Sequence, residues 1–129
     1  MSGSKTHMRS NYKDFKTNGH YFFREEEHGD ETCTIEFQKG RLHEIHRRKD
    51  SMFLWDDHFW ALDIGALFAE FIPDFDMFTE GSEVNGEQWR SIVGASPKYS
   101  SITQEIVAEM DEWMTQAIQE YGCVTIIGV

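Results

Sequence analysis

The spacing of apolar residues along this chain changes period near residue 56, from an extended repeat to a helical one. Upstream, GHYFFREE is aromatic and extended, HGDE supplies turn chemistry, and TCTIEF alternates Cys33, Ile35 and Phe37 on one face with Thr34 and Glu36 on the other. Lys39-Gly40 can close a hairpin, and a two-residue loop there sets Phe37 opposite Leu42 and Glu36 opposite His43. The next inward pair, Ile35 with Glu44, is poor, so the third strand is expected to carry a bulge or a different register.

From Asp56 onward Trp60, Ile64, Leu67, Phe68 and Phe71 recur on one helix face, and Pro73 ends the run by disfavouring helical geometry at Ile72. That predicts a helix of about four turns. An irregular acidic stretch, PDFDMFTEGSEV, follows. Asn85 then caps a short helix that buries Trp89, Ile92 and Val93 and closes at Gly94. Ser101 with Gln104 resembles a capping box, and Ile102, Ile106, Met110, Trp113, Ala117 and Tyr121 mark one face down to Gly122. The β-branched tail CVTIIGV suits a last strand inserted into the sheet.

Strands, then helices, then one strand predict an α+β fold: a single domain in which an antiparallel sheet of four or five strands packs against two long helices and one short one. Residues 1–18 are set apart as a flexible head, with Met1–His7 read as an appended remnant ahead of a native Met8, and residues 19–129 form the domain. Length is sufficient for a conventional core without metal or disulfide staples. Hydrophobic residues at 40% and aromatics at 14% exclude a disordered chain, and no apolar run approaches the ~20 residues of a membrane-spanning helix. The first twenty residues hold no apolar block for secretion, which makes the cytoplasm the expected location. Cys33 and Cys123 do not make a disulfide framework and read as free thiols.

Charge changes the picture more than composition does. Residues 1–50 hold ten Lys or Arg against nine acids, whereas residues 51–129 hold fourteen acids against only Arg90 and Lys98, a local net charge of −12. Such a field disfavours nucleic acid and anionic membranes and favours a basic protein partner.

Catalytic signatures are weak. Asp56, Asp57 and His58 sit together in SMFLWDDHFW, but consecutive helical side chains point about 100° apart and seldom converge on one ion or proton. A capped helix start explains them better, with Asp56 as the cap, Asp57 in the first turn, and Trp55 stapled to Trp60. His43, Glu44 and His46 have chelating spacing on a helix, yet on a strand positions three apart face opposite sides. A metal-assisted hydrolase built on either cluster, or a non-enzymatic adaptor subunit, are the alternative readings. The scattered glycines form no phosphate loop or dinucleotide fingerprint, and no cofactor is implied.

What stands out is the alignment of carboxylates. Glu105, Glu109, Glu112 and Glu120 project beside the apolar face of the last helix, where no Lys or Arg follows Lys98, and Asp56, Asp63 and Glu70 repeat every seven residues along the earlier one. Phe59 and Leu62 lie off that helix's apolar face, which leaves it buried on two sides or partly sticky. Acidic stripes bordered by aromatics suit a binder of a basic surface. The expected contact residues are Asp56, Asp63, Glu70, Glu105, Glu109 and Glu112, with Trp55 and Phe59 as apolar anchors.

With its size, acidity, α+β pattern and tryptophan-rich acidic middle (LWDDHFW, FIPDFDMF), the chain resembles the small acidic immunity proteins encoded beside bacterial contact-dependent or polymorphic toxins. The resemblance is one of type and carries no motif over residue by residue. It implies an inhibitory binding protein that occludes or distorts a cognate toxin domain, often a nuclease, with acidic helices taking the place of the anionic substrate.

Overall fold

A computed structural model describes residues 16–17, 19–28, 34–42, 47–61, 63–73, 75 and 81–128 of the chain. Its centre is β2 (Thr34–Lys39), an alternating segment whose Ile35 and Phe37 face the helix layer and are fully buried. Both of its neighbours are antiparallel: β3 (Met52–Trp55) on one side and β5 (Val124–Gly128) on the other. Short strands close the edges, β1 (Phe23–Arg24) against β3 and β4 (Ser82–Val84) against β5. The five-stranded order is β1-β3-β2-β5-β4, and the C-terminal strand enters the sheet interior as the tail pattern predicts.

The predicted hairpin partner of β2 gives way to β3. Gly40 turns at φ 80 and its N–H donates to the Cys123 carbonyl (2.8 Å), so the chain leaves the sheet toward an exposed, non-strand Leu42. Phe37 pairs with Met52 and with Ile126 instead. The run MFLW fits a strand covered on both faces, where continuous apolar residues are tolerated, whereas the hairpin register expected after Gly40 set Glu44 opposite Ile35. His43 and Glu44 lie outside the described residues.

Helices supply the layer over Ile35 and Phe37. The long helix expected from Asp56 is two helices, α1 (Asp56–Ala61) and α2 (Ile64–Phe71), because Asp63 adopts the left-handed conformation (φ 64). Aspartate tolerates that conformation better than most residues, at a small cost. The break lets residues from two faces of the expected helix meet one core: Phe59 of α1 lies 5.7 Å from Phe68 of α2, and Phe75 stacks on Phe59 and lies tilted against Phe68. Asn85 caps α3 (Gly86–Ala95) as expected, and Gln88 completes a reciprocal box with it, while the helix continues past Gly94 into a 3-10 turn, Ser96–Lys98. α4 (Ser101–Tyr121) is capped by Ser100, one residue earlier than predicted, which accepts from the Thr103 N–H (3.2 Å). Its 21 residues span about 31 Å and end at a left-handed Gly122.

The opposite face of the sheet is also buried. Thr34, Glu36 and Gln38, on the side read as outward, are at most 1% exposed, with Phe23, Phe53 and Thr125 beside them. Glu36 accepts from the Arg47 N–H (2.8 Å), the Arg48 N–H (3.0 Å) and the Ser51 hydroxyl (2.7 Å), pinning residues 47–51 over this face. Lys16 and Thr17, assigned to the head at the sequence level, touch the domain: Thr17 accepts from the Trp55 indole N–H (3.3 Å).

Candidate functional site

α4 buries Ile106, Val107, Met110, Met114 and Ala117 against the sheet, which leaves Glu105, Glu112 and Glu120 exposed within about a quarter turn of one another. Gln116 and the half-buried Glu109 lie on the same arc, with Gln119 at its border. No basic residue belongs to this helix, so any compensating charge must come from elsewhere. For Glu105 it does: the Lys16 amine lies 3.6 Å away and also sits 4.9 Å above the Tyr21 ring. That contact corrects the expectation of a wholly uncompensated stripe, since the cation is supplied by a residue 89 positions earlier in the chain.

Glu109 is corrected in role. Half-buried on the same arc, its carboxylate accepts from the Phe22 N–H (2.7 Å), so it ties α4 to the segment entering β1. Asp111 likewise accepts from the Trp89 indole N–H (2.7 Å), fastening α3 to α4. Neither role was legible in the sequence, because each partner belongs to a different element.

The second expected acidic edge does not form as a line. Asp56 is half-buried in the first turn of α1, Asp63 occupies the break, and Glu70 stands at the far end of α2. Glu70 accepts from the Tyr99 hydroxyl (2.9 Å) and from Lys98 (3.3 Å); the tyrosine hydrogen bond first, then the lysine, hold its carboxyl below the usual range. Of the two anchors, Phe59 is fully buried in the aromatic cluster with Phe37, Phe68 and Phe75, and is a core residue. Trp55 is half-buried, 5.1 Å from the Phe23 ring.

His58 turns inward while Asp56 and Asp57 remain half-exposed, so the three do not share a direction. Its ring meets Tyr21 edge-on at 5.3 Å, and burial lowers its pKa to about 4, which keeps it neutral near pH 7. Trp60's side chain, and with it the expected staple, lies outside what is described, as do His43, Glu44, His46 and Cys33. Cys123 is a free, half-buried thiol whose pKa burial raises, with Glu83 adding to the shift and Arg41 opposing it. Among the described residues no three His, Cys, Asp or Glu side chains are grouped to hold a metal ion, and no helix is long and apolar enough to cross a membrane.

Chemically, the exposed face of α4 is a cation acceptor: three carboxylates on a rigid, doubly anchored helix. Comparison with family models, with curated proteins and with solved structures finds no match for this chain.

Proposed function

We propose that the chain is an inhibitory binding protein that neutralises a basic protein partner, a cognate toxin domain with a cationic substrate cleft, in the cytoplasm of the producing cell. The observation that carries this reading is the row of exposed Glu105, Glu112 and Glu120 on a helix without a basic side chain. Among the described residues no ion pair reaches Glu112 or Glu120, and like charges spaced about two turns apart add a diffuse repulsive cost in the free protein. A complementary cationic surface offsets that cost and gains a faster encounter. Glu109 is left out of the contact set because Phe22 occupies its carboxylate.

Co-expression with the product of the adjacent gene tests the reading, with growth rescue and a co-purifying complex as the expected result. In the complex, changing Glu105, Glu112 and Glu120 together to lysine leaves the fold intact and slows association by roughly ten- to a thousandfold at low salt, an effect that shrinks as salt rises. An unchanged association rate removes the electrostatic face from the interface; neither rescue nor complex removes the toxin reading itself.

A further inference from the structure

The two exposed large hydrophobic side chains among the described residues, Leu42 at 42% and Tyr121 at 53%, line the same cleft. Lys39, Arg41, Arg48 and Asp50 complete its charged lining, and its volume is about 340 Å³. An adjoining hollow of about 380 Å³ shares Arg48 and Asp50 and adds Arg47 and Lys49. Five of the nine Lys and Arg residues in the described structure thus gather on one side of a chain whose net charge is −11. Charge of the minority sign, collected beside exposed apolar surface, is the signature of a local binding site.

Both walls are fixed by the fold. On one side Gly40 is held by its N–H to the Cys123 carbonyl (2.8 Å) and by its own carbonyl, which accepts from the Thr125 hydroxyl (2.8 Å). Tyr121 packs directly on this glycine: a β-carbon added at residue 40 would lie 3.5 Å from the tyrosine's own. On the other side the backbone amides of Arg47 and Arg48 are bound to the buried Glu36 carboxylate, so the strand of chain that carries the cations is pinned to the sheet. Arg47 is committed to Glu25 (3.0 Å), while among the described residues the Arg48 side chain has a long contact with Asp50 (3.9 Å).

We propose that this cleft binds a phosphorylated small molecule carrying a planar ring, a nucleotide in chemical class. Phosphate oxygens meet Arg41, Arg48 and Lys39, two guanidinium forks and one point charge, while the ring lies against Tyr121 and Leu42. The cleft volume falls in the range of small-molecule sites. Size also selects the ligand: a polyanion running beyond the cleft meets the repulsion of the acidic remainder, whereas a single nucleotide stays within the cationic region.

Calorimetric titration of the full chain with AMP, ATP, GTP, inorganic pyrophosphate and a hexaglutamate peptide tests the proposal. The expected result is saturable one-to-one binding of at least one nucleotide, weakened about tenfold or more by Arg41→Glu and, separately, by Tyr121→Ala. Both side chains are exposed, and circular dichroism with thermal melting checks that each variant keeps the fold. Three results overturn it: no saturable binding of any nucleotide, pyrophosphate binding as tight as nucleotide binding and indifferent to Tyr121→Ala, or preferential binding of hexaglutamate, which marks a docking surface for an acidic protein segment.

Discussion

Glu36 and His58 are ionisable side chains placed in the interior, and their chemistry differs because their surroundings do. Glu36 receives three hydrogen bonds, two from backbone amides, and a buried carboxylate is tolerated on those terms. Glu36→Ala removes the acceptor and leaves the Arg47 and Arg48 amides to find new partners, so chemical denaturation is expected to show a loss of roughly 2–4 kcal/mol, with Glu36→Gln losing less. His58 is buried against Tyr21, and its pKa falls from the ordinary 6.5 to about 4. Between those values the unfolded chain binds a proton that the native chain does not. Stability is therefore full above about pH 6.5 and declines as pH drops toward 4, by on the order of 1–3 kcal/mol. Denaturant titrations at pH 7 and pH 4.5 are expected to show that decline in the native sequence and a smaller one in His58→Asn measured against its own value at pH 7. Neither role is written in the local sequence: Glu36 reads as an outward strand residue and His58 as part of a polar cluster.

Elements with a strong period and a clear stop were legible, and those set by long-range contacts were not. The apolar face of α4 as far as Ala117, its Gly122 terminus, the Asn85 cap and the insertion of the C-terminal strand all rest on patterns within a few residues of one another, whereas Tyr121, expected on that face, is 53% exposed. β3, β4 and the break at Asp63 depend on partners far along the chain. MFLW has no alternation because both of its faces are covered, and a helical period running through residue 63 cannot reveal that Phe59 and Phe68 bury together only if the helix bends there. The start of α4 gives a direct test of boundary placement. Ser100→Ala removes the observed cap and is expected to cost about 0.5–2 kcal/mol, whereas Ser101→Ala stays within about 0.5 kcal/mol, both read from thermal or denaturant unfolding.

At the scale of the molecule the charges are segregated, with carboxylates along α4 and cations around the cleft between Gly40, residues 47–50 and Tyr121. The lysine reversal of Glu105, Glu112 and Glu120 belongs to this scale, because its expected effect on association arises from the summed field and not from one contact. The acidic residues of the candidate face were visible in the sequence as a stripe, but which of them are available was not. Glu105 shares its charge with Lys16, Glu109 holds Phe22, and Glu70 is bound by Lys98 and Tyr99. The cationic cleft was not visible at all, since Lys39, Arg41 and Arg48 come from the end of one strand and a later loop, and Tyr121 from a helix 80 residues beyond Arg41.

By itself the sequence determined the α+β class, the cap at Asn85, the apolar stripe of the last helix from Ile106 to Ala117 and its end at Gly122, the final strand and the imbalance of charge. These follow from local periodicity, capping chemistry and composition, which act over a turn or two of chain. Only the tertiary structure decided the strand pairing, the bend at Asp63, the burial of Glu36 and Phe59, and the sorting of carboxylates into fasteners and free surface. Those outcomes are settled by which distant segments meet, and two residues of identical local context separate once one finds a partner across the fold.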